Sequence, residues 1–251
     1  MQYKTNTIGK KTDIEQLISF FKKEKVFSTQ DLLKFYKQKE VAVNRNTLNW
    51  RVYYLIKKGI IARIGKGQFR VGNLGIFKPE LSPIIKKINK QLKKTFPFLK
   101  YCLWDTEQIR GLSQHLPSLK LTIVDVERDG MEAVFHSLQD KFKNVFLMPD
   151  MEVMEKYVIP AKNPIVIKTL VSESPVYEIE GIMAPAIEKV LVDVFFEEEF
   201  STLRGMEMSY IFKNAYEMYS VNPGRLLRYA TRKRKKEEIK KFLISNNLAA
   251  K

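Results

Sequence analysis

The sequence has 251 residues but a single cysteine, Cys102, and only two histidines, His115 and His136. One thiol excludes an internal disulfide and any cysteine-built zinc site, and two imidazoles nearly exclude a histidine metal cluster. No run of eighteen apolar residues is present, so no membrane-crossing helix is expected. The opening MQYKTNTIGKK lacks the apolar stretch of a signal peptide, which points to the cytoplasm. Gly-x-Gly-x-x-Gly, the Walker phosphate loop and Gly-x-Ser-x-Gly are all missing as well. Neither a cofactor nor a bound metal is expected.

Positive charge, by contrast, is abundant. Lys and Arg number 44 against 28 Asp and Glu, a net of +16. Residues 1–78 hold 17 against 5, residues 79–224 hold 17 against 21, and residues 225–251 hold 10 against 2. The excess therefore sits at the two ends, around a slightly acidic middle. Such a distribution suggests nucleic acid where it coincides with a reading motif.

That motif lies in residues 44–71, NRNTLNWRVYYLIKKGIIARIGKGQFRV. Asn44 is a good N-cap, and no Pro or Gly interrupts the chain until Gly59. Leu48, Val52, Leu55 and Ile56 form one apolar helical stripe. Residues 60–64 and 68–71 read as strands joined across Gly65, Lys66 and Gly67. Upstream, Thr12 and Glu15 form a capping box for a helix running to about Lys25, and Ser28 with Asp31 opens a second helix. Three helices and a basic hairpin predict an N-terminal winged helix-turn-helix over residues 1–78.

A recognition helix presents its N-terminal half to the major groove. The expected DNA contacts are Arg45, Asn46, Thr47, Asn49, Trp50 and Arg51, with Arg45, Arg51 and Asn49 as base readers. Lys57 and Arg63 are expected beside phosphates, and Lys66 at the hairpin tip. Trp50 fits either a sugar–backbone contact or the domain's own surface. Tyr53 and Tyr54 read as core-edge residues.

A Gly- and Pro-rich segment, residues 72–83, ends this unit, and residues 79–99 read as linker and basic helix. Residues 100–251 then alternate strands (101–104, 119–126, 145–148, 165–170, 176–180) with helices. The fold class expected is α/β (α+β), the winged helix-turn-helix being followed by a mixed α/β domain with a helical end. Pro185 suits the first turn of a helix carrying Ile187, Val190 and Leu191. A second basic patch comprises Arg225, Arg228, Arg232, Lys233, Arg234, Lys235 and Lys236. Its five consecutive cations call for a counter-charge, either DNA or an acidic partner.

Thr29-Gln30-Asp31-Leu32, Asn44-Arg45-Asn46-Thr47-Leu48, residues 55–61 and Ile64-Gly65-Lys66-Gly67-Gln68-Phe69 resemble the winged helix of abortive-infection type IV antitoxin transcriptional regulators. The segment from Gly181 to Asp193 is similar to one that follows the winged helix in that group. The length after the linker looks like an uncharacterised bacterial domain family grouped with these regulators. The resemblance implies double-stranded DNA as a partner, repression of the protein's own operon and an opposing nucleotidyltransferase-like toxin. Within residues 100–170 it matches no motif.

The alternative is an enzyme, a metal-dependent nuclease or nucleotidyltransferase brought to nucleic acid by the winged helix. Asp125 and Glu127 fall on one side of a predicted strand, as do Glu178 and Glu180. Without a third carboxylate or a catalytic lysine at a known offset, they read as surface or edge-strand carboxylates. Glu197, Glu198 and Glu199 read as a solvated turn.

Overall fold

The computed structural model describes residues 11–21, 26–39, 43–65, 67–72, 75–113 and 120–248. The N-terminal unit runs α1 (Lys11–Phe21), β1 (Phe27–Ser28), α2 (Thr29–Lys37), α3 (Arg45–Lys57), β2 (Ile61–Gly65) and β3 (Gln68–Val71). Ser28 caps α2 in a reciprocal box with Asp31, and the Asn44 side chain accepts the Thr47 backbone N–H to start α3. Gly59, at φ 67°, lets the chain leave α3 and turn into the hairpin. Leu48, Val52 and Leu55 of α3 join Leu17, Phe21, Leu32, Phe35 and Phe69 in one small core. Burying each such side chain contributes roughly 1.5–3 kcal/mol.

Two local expectations change here. Thr12 lies inside α1, so the helix begins before the expected cap, and the expected extension through residues 22–25 lies outside the described residues. Phe27–Ser28 forms a short strand that pairs with β3, giving the order β1-β3-β2. The Thr29 N–H donates to the Gly67 carbonyl at 2.8 Å, which fastens the hairpin turn to the start of α2.

The C-terminal unit is built on a four-stranded sheet of order β4-β5-β7-β6, with β4 antiparallel and the others parallel. Its strands are β4 (Tyr101–Asp105), β5 (Thr122–Val126), β6 (Val145–Leu147) and β7 (Ile165–Thr169). Both faces are covered, as a parallel sheet requires. On one face, α4 (Pro83–Thr95) and α6 (Met131–Gln139) pack over Leu103, Val124, Val126 and Ile167. On the other lie α8 (Ile187–Phe196), α9 (Met206–Met218), α10 (Pro223–Arg232) and α11 (Lys236–Ser245), over Cys102, Trp104, Ile123 and Val166. The short α5 (Glu107–Arg110) follows β4, and α7 (Met151–Val153), continued by a π-helical turn, links β6 to β7. The chain is thus mixed α/β, as expected, with a helical C-terminal end.

Several expectations for this half are corrected. The basic helix expected within residues 79–99 forms, but it is part of the sheet unit and not of a linker, because its Ile85, Ile88 and Leu92 are wholly buried in the sheet's core. Pro185 does not open a helix; it ends β9 (Ile182–Pro185), which pairs antiparallel with β8 (Val176–Ile179). Helix α8 starts two residues later, and all of Ile187 to Val194 is buried.

The two units touch. The Arg70 guanidinium donates to the Tyr216 carbonyl, and Ser220 Oγ donates to the Arg63 carbonyl at 3.0 Å. Gly75 forms a parallel bridge with Tyr219 through Gly75 N–H to the Met218 carbonyl and Ser220 N–H to the Gly75 carbonyl, each 3.0 Å.

Candidate nucleic-acid interface

Helix α3 has one buried and one open side. Asn46, Asn49, Trp50, Tyr53 and Lys57 share the open side at i, i+3/i+4, i+7 and i+11, with Arg45 beside them at the N-terminus. Trp50 is 51% and Tyr53 62% exposed. Tyr53 is therefore not a core-edge residue. The Trp50 ring stacks on Tyr54, centroids 5.7 Å apart and planes 9° apart, and Lys58 Nζ lies 5.9 Å from the Tyr54 centroid. Lys57 sits similarly over Tyr53. Aromatic faces and cations thus alternate along one exposed helix side, and α3 has no acidic residue.

Not every expected contact residue belongs to this side. Arg51 is only 6% exposed, with its guanidinium 4.4 Å from the centroid of the Tyr36 ring. Its position, one residue past Trp50, turns it toward α2, so it packs the N-terminal unit and cannot read a base. Thr47 is half-buried and donates its hydroxyl to Asn44 Oδ1 at 3.0 Å, which makes it part of the cap. Arg63 is exposed and lies over Phe69. Lys66 lies outside the described residues.

The second basic patch is largely neutralised. Lys233 turns inward to Asp193 Oδ1 at 2.8 Å and to Glu197. Arg232 pairs with Glu173, Lys235 with Glu238 at 2.9 Å, and Arg225 lies 3.7 Å from the buried Glu188. Arg228, Arg234 and Lys236 remain exposed, with no ion pair among the described residues. The seven cations therefore do not form one free surface.

The counter-charges that draw Lys233 inward form the main electrostatic feature of the C-terminal unit. Lys189, 1% exposed, lies 2.6 Å from Asp125 Oδ2 and 2.5 Å from Asp193 Oδ2. The Trp104 indole N–H donates to Asp125 at 3.2 Å, and the Tyr229 hydroxyl donates to Asp193 at 2.9 Å. At the outer end Lys168 is held by Glu197 and Glu199. Three ammoniums thus face four carboxylates, and burial disfavours the negative charge in excess. It pushes the pKa of Asp125 and of Glu199 up. Burial would also raise that of Asp193, but Lys189 and Lys233 outweigh it and hold the value at about 2. The Lys189 pKa stands well above normal, because Asp125 and Asp193 outweigh the burial that disfavours its charge. Burial likewise pushes up the Cys102 thiol, which keeps it protonated and inert.

This corrects two further expectations. Asp125 is neither a surface nor an edge-strand carboxylate, since it sits on the inner strand β5 and is 5% exposed. Glu127, just past β5, binds the Lys100 backbone N–H at 3.0 Å and does not join Asp125. The segment at Glu197 and Glu199 is no solvated turn, because both grip Lys168. Glu178 and Glu180 are exposed, and Glu180 pairs with Lys86 at 3.3 Å. Among the described residues no group of three or more His, Cys, Asp or Glu is arranged to hold a metal ion. Nor is any helix among them long and apolar enough to cross a membrane.

Fold and site together define an α/β protein in which a helical, hairpin-bearing N-terminal unit is fastened to a mixed-sheet unit. The chain belongs to the family described as a family of unknown function (DUF6577), whose model matches residues 47–249. No curated protein matches its sequence.

Proposed function

We propose that the protein is a DNA-binding transcriptional regulator whose N-terminal unit acts as a winged helix-turn-helix. The observation that carries this reading is the open side of α3. It bears Arg45, Asn46, Asn49, Trp50, Tyr53 and Lys57, no acid, and two aromatic side chains that are more than half exposed. Asn and Arg there match the donor–acceptor patterns of adenine and guanine in the major groove. The ladder of rings and lysines suits the sugar–phosphate backbone. The resemblance to antitoxin regulators makes the DNA upstream of the protein's own operon the first operator to examine. It likewise makes a nucleotidyltransferase-like toxin the first protein partner to examine.

An enzymatic reading finds less support. Asp125, the carboxylate it would use, is enclosed by Trp104 and Lys189. Both contacts fall on Oδ2, and with the residue only 5% exposed little of the carboxylate is open to a metal or a substrate.

The experiment is a salt-titrated binding assay with upstream DNA. Arg45→Ala and Asn49→Ala are each expected to weaken specific binding by about 1–3 kcal/mol and to relax sequence preference. Unchanged affinity and preference in both variants would reject α3 as the reading element.

A further inference from the structure

Helix α4, PIIKKINKQLKKT, has five lysines and no acid. Its apolar side is fixed in the core, and Gln91 locks it to α6 through a 2.9 Å bond to Ser137 Oγ. The lysines divide between two directions. Lys86 pairs with Glu180, and Lys93 Nζ reaches Gly181, so these two lie against the β8–β9 hairpin. Lys87, Lys90 and Lys94, at i, i+3 and i+7, line a groove of about 680 Å³ whose far wall is Lys141 and Phe142. A second hollow of about 480 Å³ shares Lys87, Lys141 and Phe142 with the first and adds Lys143, Asn144, Lys162 and Asn163. Asn144 Nδ2 donates to the Lys162 carbonyl at 2.8 Å and holds that end of the wall. Six lysines thus line two adjoining hollows, and among the described residues no lining residue is acidic.

We infer that this groove binds the sugar–phosphate backbone of a nucleic-acid strand, as a surface separate from α3. Like charges gathered around a concavity repel unless a polyanion fills it. Lys87 to Lys94 alone extend about 10 Å along the helix at ~1.5 Å per residue, which is too long for one phosphate and suits a row of them. The half-buried Phe142 places an aromatic side chain in a wall of cations, the combination found in grooves that track a strand without reading its sequence. An anionic membrane fits less well. A helix that lies on lipid inserts its apolar side, and that side of α4 is consumed by the core.

The inference shares its ligand class with the proposed function but rests on different residues, so the two can fail separately. Full-length protein is titrated with a fluorescent random-sequence oligonucleotide, single- and double-stranded, over a range of salt. The charge-reversal variant Lys87→Glu/Lys90→Glu/Lys94→Glu is expected to lose at least tenfold in affinity at low salt. Its slope of log affinity against log salt should fall by about 2–3, at ~0.7–0.9 for each phosphate no longer neutralised. Lys240→Gln, at an exposed lysine of α11 outside both surfaces, is expected to leave that slope unchanged. The milder Lys87→Gln/Lys90→Gln/Lys94→Gln variant must show the same trend in a protein whose melting temperature matches the parent's. A parental slope in that folded variant overturns the inference, whatever α3 does. So does lysine-dependent binding to phosphatidylserine vesicles without lysine-dependent binding to oligonucleotides. Loss of slope in the lysine variants alongside unaltered specific binding in the α3 variants would uphold the groove and reject the reading helix.

Discussion

At the scale of single residues, two cations in helices have fates opposite to their appearance. Arg51 lies among DNA-reading candidates in sequence yet is spent on the Tyr36 ring. Arg51→Ala is therefore expected to lower the thermal midpoint, with DNA affinity per folded molecule unchanged; a melting curve beside a binding isotherm separates the two effects. Lys189 sits mid-helix among apolar neighbours and is the sole described cation within hydrogen-bonding distance of Asp125. Lys189→Met strands a buried carboxylate and should cost about 3–5 kcal/mol in urea unfolding. Adding Asp125→Asn should restore part of that loss, and a double-mutant cycle reads the difference.

The same network gives a pH dependence whose sign can be worked out. Asp193 has its folded pKa at about 2, below the value of 3.8 for an unperturbed Asp. Its contribution is therefore present above pH 4 and lost as pH falls towards 2. Asp125 is shifted up, so the folded protein takes its proton more readily than the unfolded chain, and stability from this group rises as pH falls through its raised value. The expected profile of urea midpoint against pH is flat or gently rising on acidification from neutrality, then falling steeply below about 4. Asp125→Asn should lessen the rise, to which Glu199 also contributes, and keep the fall.

At the scale of elements, the start of α3 is legible in the sequence because an N-cap and a helical stripe are local. Asn44, Leu48, Val52 and Leu55 need only their own spacing. Strand β1 is not legible, since two residues carry no alternation. The β8–β9 hairpin does leave a local signal. Glu180 and Gly181 both have positive φ, 49° and 75°, the two-residue turn that joins antiparallel strands. Pro185, close behind that turn, competes with it, because proline also suits the start of a helix. The Asp125–Lys189 pair spans 64 residues of sequence, and no periodicity can announce it. A hint does exist in α8, where Lys189 and Asp193 stand at i and i+4 with apolar residues on both sides.

The exposure of α3 has an optical consequence. Trp50 is half open, whereas Trp104 is 1% exposed and stacked on Phe200. Acrylamide should quench one emission component and spare the other. DNA should protect the accessible component, and Trp50→Phe should abolish it.

At the scale of the molecule, the N-terminal unit is held to residues 216–220 by the Arg70 guanidinium, the Ser220 hydroxyl and the Gly75 backbone. Arg70→Ala is expected to let the N-terminal unit melt ahead of the sheet unit. Calorimetry would then resolve a low-temperature shoulder absent from the parent. The family match, which begins inside α3 at residue 47 and ends at 249, likewise runs straight through this junction.

The parallel bridge between Gly75 and Tyr219 bears on how the protein could be re-engineered. A module joined only by a flexible tether can be cut out and fused elsewhere, and still point wherever its new host allows. Here the backbone just past the hairpin is stitched to the end of α9. A chimera that carries the N-terminal unit alone would leave its stitch behind. A transplant should therefore take the stretch around residues 216–220 with it, or accept an α3 whose direction is no longer fixed.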